Sequence, residues 1–174
     1  MIKLRPAAFS DHPAIAKLHA ENWRLNYRGI LSNDYLDNEV ENERLDNWCK
    51  KLNNPAPGQF VIVAEYGNNL VGFCSLIINE DPVFGSYIDN LHVSSGQQKS
   101  GIGKMMMHNA ATTIAEKADS PKMYLWVYEA NANARSAYEK MSATNFETLD
   151  LANVDGTISP TCRYIWDDVK VLLS

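Results

Sequence analysis

The sequence predicts a mixed α/β fold, in which a central sheet of about seven strands carries helices on both faces. The 174 residues suit one domain, and hydrophobic residues make up 45% of them, which is enough to form a buried core. Strand-like and helix-like stretches follow the order β-α-α-β-β-β-α-β-α-β-β. No repeat, long linker or low-complexity tract interrupts this order, so we expect residues 1–174 to form a single domain.

The N-terminal part is predicted to hold one strand and two helices. Residues 2–6 alternate in character and end at a proline, as a short strand does. Ser10 is expected to cap the first helix, with Pro13 in its first turn. Ser32 is expected to cap the second helix. That helix is predicted to turn five side chains inward: Leu36, Val40, Leu45, Trp48 and Leu52.

The remaining elements follow from β-rich runs, turn residues and helical periodicity. A hairpin turns at residues 67–69, and the unit spanning residues 87–128 should be a right-handed parallel crossover. The predicted strands cover residues 60–66, 70–78, 87–93, 123–128, 146–151 and 161–166, and the predicted helices cover about 101–118 and 131–141.

The composition of the chain limits the classes of function that it can have. The net charge of −5 disfavours non-specific nucleic-acid binding and mildly favours a cationic substrate such as an amine. No apolar run approaches the ~20 residues that span a bilayer, and the first residues lack a signal-peptide pattern. The three cysteines are scattered, so neither a disulfide framework nor a metal site is expected. We therefore expect a cytoplasmic protein without a nucleic-acid or membrane partner.

Residues 94–110, SSGQQKSGIGKMMMHNA, place three glycines and two lysines at the approach to an apolar helix. A helix start has unpaired amides and a positive dipole, which suits a phosphate or pyrophosphate. Gly101 is expected to let a ligand approach the backbone, and Gly103 to let the helix lie close to a neighbour. A tight strand-to-helix turn explains the segment equally well. The P-loop and dinucleotide patterns are both absent.

A second segment, LWVYEANANARSAYEKM, runs from residue 125 to 141. Its Asn131 and Tyr138 lie about two helical turns apart and point the same way. Here the chain resembles the GNAT superfamily of acetyl-coenzyme A-dependent N-acetyltransferases. Residues 98–103 match its phosphate loop, [QR]-x-x-G-x-[GA], and Val127, Asn131, Ala134 and Tyr138 match its later motif. The N-terminal stretch resembles one common bacterial branch, so the resemblance covers nearly the whole chain.

This resemblance implies a GNAT-like acyl-CoA N-acyltransferase fold, with a sheet that splays between the strands ending at Val93 and Val127. The pantetheine arm of acetyl-coenzyme A would lie in the splay and its pyrophosphate on the loop. The implied reaction is acetyl transfer to a primary amine by direct attack in a ternary complex. The implied cofactor-binding residues are Leu91, His92, Val93, Gln98, Lys99, Ser100, Gly101, Ile102, Gly103, Lys104, Asn131, Ala134 and Tyr138.

The chain departs from the family pattern at the backbone. Lys99 stands where the family often has glycine, which narrows the loop's conformational freedom. Ser95 stands where proline is frequent. Ser142 follows the second motif where glycine commonly ends the helix, so Ser142 is expected to adopt a left-handed conformation.

Tyr138 is implied to donate a proton to the leaving thiolate. A core tyrosine is the alternative, and Asn131 could bind the coenzyme or only cap its helix. The base is less defined, because relatives often carry glutamate where this chain has Tyr87. Asp89, on the same strand and with the parity of Leu91, is the nearest carboxylate. A hydrogen-bonded structural role or a water relay would explain Asp89 as well.

His92 has the opposite parity to Asp89, and His108 lies on the following helix. Both are expected to be packing or surface residues rather than catalysts. The acceptor pocket implied by the resemblance is formed partly by Trp23, Tyr27 and Tyr35, with Tyr87 beside them. Aromatic walls can hold an amine through cation–π contact, although Trp23 at helical spacing also fits a core position.

Two other functions stay open from the sequence. The first is a non-catalytic coenzyme A-binding sensor or interaction module on the same fold. The second is a nucleotide-binding protein, which only the glycine-containing loop supports. The acceptor amine is not identifiable from the sequence, and a homodimer is neither indicated nor excluded.

Overall fold

The computed structural model describes residues 1–174 and contains seven strands. The strands are β1 (Ile2–Pro6), β2 (Gln59–Tyr66), β3 (Asn69–Asp81), β4 (Gly85–Val93), β5 (Met123–Tyr128), β6 (Thr144–Ala152) and β7 (Ile158–Trp166). The α-helices are α1 (His12–Asn26), α2 (Val40–Asn53), α3 (Ile102–Lys117) and α4 (Ala132–Lys140). A π-helical turn, Tyr35–Glu39, precedes α2. Number, type and order of the strands and α-helices are as predicted.

The strands form one mixed sheet in the order β1-β2-β3-β4-β5-β7-β6. All neighbours pair antiparallel except β4 and β5, which are parallel and joined through α3. This confirms the predicted fold class and the predicted parallel crossover. The parallel pair lies at the centre of the sheet, where the two antiparallel halves meet.

Each face of the sheet is covered by its own helices. The main core lies under α3 and α4, where buried side chains such as Met106, Leu125 and Tyr164 pack together. On the other face, α1 and α2 pack on β2 and β3 through Ile15 and Trp48. Burial of this apolar area on both faces is the main source of stability.

Two details of the N-terminal helices differ from the prediction. Ser10 does not cap α1; it lies in a 3-10 turn, Phe9–Asp11, where the Asp11 carboxylate accepts hydrogen bonds from the Ala8 amide and from Arg5. Leu45 is 38% exposed rather than inward. Leu45 comes five residues after buried Val40, which places it about 140° around the helix.

The local predictions for Ser32 and Ser142 hold. The Ser32 hydroxyl accepts a hydrogen bond from the Tyr35 amide at 3.3 Å, as a cap does. Ser142 adopts the expected left-handed conformation, with φ 66°. All three cysteines are free thiols. None of the helices has the length and apolar character that a membrane crossing requires.

Candidate active site

The central parallel pair separates early. β4 and β5 pair at only three positions, the last being Ile88 opposite Leu125. The register of β4 against β3 shifts between Ile88 and Asn90, so that Asp89 is an extra residue on β4. Such a bulge bends its strand and increases the local twist. The bulge therefore lies where the two strands part, at the position of the predicted splay.

A cavity of about 910 Å³ occupies this gap. Ala134 and Tyr138 of α4 line it on the side of the main core, and Trp23 and Tyr27 of α1 line it on the opposite side. The cavity therefore runs through the sheet, with two ends. We call them the loop end (Gln98, Lys99, Gly103, Lys104, Asn131, Ala134 and Tyr138) and the aromatic end (Trp23, Tyr27, Trp126, Tyr128 and Leu151).

The backbone of the loop end is left-handed at two positions. Gly101, directly before α3, has φ 88°, and Lys99 has φ 63°. Glycine adopts this region freely, whereas a lysine does so at a cost. A Cβ added at Gly101 would meet nothing within 4 Å, so conformation rather than packing requires glycine there. The open space lies at the positive end of α3.

The expectation for Gly103 was wrong. A Cβ added there would lie 4.0 Å from Val93 Cγ2, which is an ordinary contact. The first turn of α3 is therefore not pressed against β4, and alanine would fit. Ser100, Gly101 and Ile102 do not line the cavity. The Ile102 side chain is buried in the main core, so only its backbone could serve a ligand.

Polar contacts fix the loop end to its surroundings. The Asn22 side chain donates to the Val93 carbonyl at 3.0 Å, and the Ser94 amide donates to the Val71 carbonyl at 2.8 Å. These bonds hold the end of β4 where the loop begins. On the far side of the cavity, the Asn131 side chain caps α4 by accepting from the Ala134 amide at 3.2 Å.

A family model described as the acetyltransferase (GNAT) family matches residues 15–143, more than half of the chain. The chain belongs to the GNAT family. It is therefore an acyltransferase of the N-acetyltransferase type, as the sequence predicted.

Two bacterial relatives agree with this assignment. The "Uncharacterized N-acetyltransferase YuaI" of Bacillus subtilis (strain 168) is 29% identical over 153 residues, which cover 84% of this chain and 86% of that protein. The "Probable N-acetyltransferase Rv2775" of Mycobacterium tuberculosis is 30% identical over 145 residues, which cover 80% of this chain and 78% of that one.

Solved GNAT structures share the fold. The PaiA N-acetyltransferase from Thermoplasma acidophilum, solved in complex with coenzyme A, has a TM-score of 0.69 at 18% identity and covers 95% of this chain and 99% of that chain. YncA from Salmonella typhimurium, solved with its cofactor acetyl-CoA, has a TM-score of 0.69 at 16% identity, covering 96% and 94%. At these identities the likeness is evidence for the fold alone.

Tyr138 of this GNAT protein lies between the cavity and the main core. Its ring centroid is 6.1 Å from that of Tyr164 and 6.1 Å from that of Trp166. Burial, with a smaller contribution from Cys74, raises the pKa of the Tyr138 phenol above its usual range. The phenol therefore stays protonated at neutral pH, as a proton donor must.

Asp89 does not lie on the side of β4 that strand parity predicted. Leu91 and Val93 pack against the main core, whereas the Asp89 carboxylate forms an ion pair with Lys51 of α2 on the opposite face. The bulge is the physical reason, because an extra residue breaks the alternation of side chains. Asp89 still lines the cavity, and its carboxylate also accepts from the Asn90 side chain at 2.7 Å.

Two of the predicted acceptor residues lie away from the cavity wall. Tyr35 is buried beneath the loop that follows α1, and its hydroxyl donates to Glu43 at 3.0 Å. Tyr87 stacks on Tyr124, with ring centroids 4.8 Å apart. Only Trp23 and Tyr27, from the predicted set, line the aromatic end.

Sequence reasoning missed Trp126 and Tyr128, the two aromatic residues that β5 contributes to the aromatic end. They alternate with buried Leu125 and Val127, and this alternation was the signal that could have identified them. Tyr128 meets Tyr27 edge to face at 4.9 Å, so the two walls of the cavity touch here.

A buried histidine pair supports the wall beside the aromatic end. The His19 ring accepts a hydrogen bond from the Trp48 indole at 3.0 Å and lies 4.4 Å from the His92 ring. Burial lowers the pKa of His92 to about 4, with a smaller contribution from Arg44. Burial likewise lowers the pKa of His19 well below its usual range. Both rings are therefore neutral at physiological pH.

Proposed function

We propose that this chain transfers the acetyl group of acetyl-coenzyme A to a primary amine, by direct attack in a ternary complex. One observation carries the proposal. A single cavity runs through the splayed sheet, from the positively polarised N-terminus of α3 to an aromatic pocket on the opposite face. Its volume of about 910 Å³ is near the upper end of the ~300–1,000 Å³ typical of ligand sites, which suits two molecules bound together.

The loop end suits coenzyme A. The first amides of α3 have no helical partners, and the space above Gly101 is open to a diphosphate. Lys99 and Lys104 add positive charge at the cavity wall. When bound, acetyl-coenzyme A supplies an activated thioester carbonyl. Leu91, Val93 and Ala134 line the space between the loop and Tyr138, where an extended arm would lie.

The chain's own residues supply the proton transfers. We assign Tyr138 as the donor to the leaving thiolate, because it lines the cavity and its phenol is protonated at neutral pH. Asp89 stays our assignment for the group that accepts the amine proton. It lies at the bulge on the cavity wall, where Lys51 and Asn90 hold the carboxylate in place.

The test is an amine-panel assay with mass detection of acetylated products, alongside calorimetry with coenzyme A. We expect coenzyme A binding and acetylation of at least one amine. Coenzyme A binding without acetylation of any amine, and without thiol release above the hydrolysis background, would favour the non-catalytic module. Absence of coenzyme A binding would refute the assignment of the loop.

A further inference from the structure

Several charged side chains around the aromatic end are already paired with each other within the protein. Two arginines there lie over its tryptophans: Arg44 lies 4.5 Å from the Trp23 ring centroid, and Arg163 lies 4.5 Å from that of Trp126. Six of the charged groups around this end form three ion pairs. The pairs are Asp89 with Lys51, Glu43 with Arg44, and Glu147 with Arg163.

One charge beside this end lacks a cationic partner. The Asp155 carboxylate accepts hydrogen bonds from the Ser32 amide at 2.6 Å and from the Thr157 hydroxyl at 2.6 Å. Burial acts to raise the pKa of Asp155, but these hydrogen bonds lower it overall, so the carboxylate remains ionised. Asp155 is therefore a carboxylate with neutral partners only, and it can attract a single ammonium group bound nearby.

The same contacts also connect two loops beside the aromatic end. The Ser32 and Asp155 hydrogen bond ties the loop after α1 to the turn between β6 and β7. The Thr157 hydroxyl also lies 3.5 Å from the Ile30 carbonyl in that loop. Together with the contact between Tyr27 and Tyr128, this bridge connects the α1 side of the aromatic end to the side formed by the sheet. We infer that a connection of this kind hinders a lysine on a folded protein more than a small free molecule.

We propose that the acceptor is a small aromatic monoamine, with one ammonium group and a flat apolar ring, rather than a polyamine or a protein lysine. The ring would pack against Tyr27, Tyr128 and the part of Trp126 that lines the cavity, where aromatic contact stabilises binding. The ammonium group would be attracted by Asp155 rather than by the Trp126 ring, which Arg163 already covers. A polyamine would place further cations beside ion pairs that are already satisfied. This inference rests on the proposed function and names its substrate class.

The test compares kcat/KM for four amines: phenethylamine, butylamine, spermidine and a lysine-containing peptide with a blocked N-terminus. Butylamine separates the effect of the ring from that of the single charge. We expect phenethylamine to exceed each of the others by ~10-fold or more, the scale of one well-placed aromatic contact.

Two variants assign any preference to the aromatic end. Trp126→Leu and Tyr27→Leu should each reduce the preference for phenethylamine over butylamine to ~3-fold or less, mainly through KM. Tyr66→Leu, at an exposed position on β2, removes an aromatic ring outside the cavity and should leave the preference unchanged. Circular dichroism confirms folding of each variant.

A third variant tests the charge argument by gain of function. Lys51→Met keeps an apolar stem against Trp48 but leaves the Asp89 charge unpaired. The ratio of spermidine to phenethylamine kcat/KM should rise by ~10-fold. Lys50→Met makes the same charge change at an exposed position on α2 and should leave the ratio unchanged.

The outcomes separate this inference from the proposed function. Efficient acetylation of spermidine or of the peptide, with phenethylamine a poor acceptor, overturns the inference while the acetyltransferase assignment stands. Equal use of phenethylamine and butylamine also overturns it, since the ring then contributes nothing. If no amine is acetylated, the proposed function fails, and the inference fails with it.

Discussion

The two ends of the cavity differ in the parts of the chain that form them. The loop end comes from two short motifs, the loop at residues 98–104 and the helix segment at residues 131–138, and the backbone at Gly101 faces open space. The aromatic end uses side chains of Trp23 and Tyr27 from α1, Trp126 and Tyr128 from β5, and Leu151 from β6. A backbone site depends on a few local residues, whereas a side-chain site depends on how distant elements pack. Variants at the two ends should therefore separate cofactor binding from acceptor use.

The largest effect is expected at the loop end. Gly101→Trp places a large side chain on a left-handed residue at the proposed phosphate site, and coenzyme A binding should be lost in calorimetry. Gly67→Trp is a matched control, because Gly67 also has positive φ and open space but lies in the β2–β3 turn. Undiminished binding by a folded Gly101→Trp variant would refute the loop assignment.

Tyr138→Phe should act on chemistry alone. The ring packing against Tyr164 and Trp166 is retained, and the phosphates bind elsewhere, so stability and coenzyme A affinity should change little. Turnover should fall by ~10²-fold, the usual scale for one positioned proton donor. The loss should be smaller with a more acidic leaving thiol. Normal turnover with acetyl-coenzyme A would return Tyr138 to a core role. Tyr124→Phe, on β5 outside the cavity, is the control.

Asp89→Asn should affect the removal of the proton from the acceptor amine. The amide keeps the shape of the carboxylate but cannot accept the proton, so turnover should fall by ~10²-fold or somewhat less, with loss of the acidic limb of the pH–rate profile. Asp150→Asn, at an exposed position on β6, serves as the comparison. An unchanged profile would favour a water relay and leave Asp89 as the partner of Lys51.

The smallest effect concerns stability at the wall of the aromatic end. Because the pKa of His92 is about 4 in the fold and ~6.5 when unfolded, the unfolded chain binds more protons between these values, and stability falls as pH drops below ~6.5. His92 alone should cost about 1 kcal/mol of unfolding free energy between pH 7.5 and 5.5. In denaturant unfolding, the His92→Phe variant should lose about 1 kcal/mol less unfolding free energy than the wild type between pH 7.5 and 5.5. His108→Phe, on the exposed side of α3, should show the wild-type loss.

Sequence reasoning located the loop end well because its evidence was local. Residues 98–103 carry a glycine spacing that suits either a phosphate site or a tight strand-to-helix turn, and the structure places left-handed residues at Lys99 and Gly101. The evidence of the second motif is also local, because one helix fixes Asn131 and Tyr138 relative to each other, and both line the cavity. In both cases the distance along the chain determines the distance in space.

The base was harder to position. Simple alternation assigned Asp89 to the side of Leu91, and the bulge on β4 moved it to the side of Lys51. A bulge arises from the register between two strands, and neither strand alone encodes it. His92 meets His19 of α1, which is likewise a contact that local sequence does not encode, because the two residues are 73 positions apart.

The sequence by itself determined the element order, the mixed α/β class, the anion-friendly start of α3 and the alignment of Asn131 with Tyr138. Hydrophobic periodicity and turn chemistry act over a few residues, so one chain segment contains all the information. Only the tertiary structure decided which aromatic residues line the cavity, which face Asp89 occupies and how Ser32 meets Asp155. These depend on contacts between distant segments, whose geometry is set by the packing of the whole core.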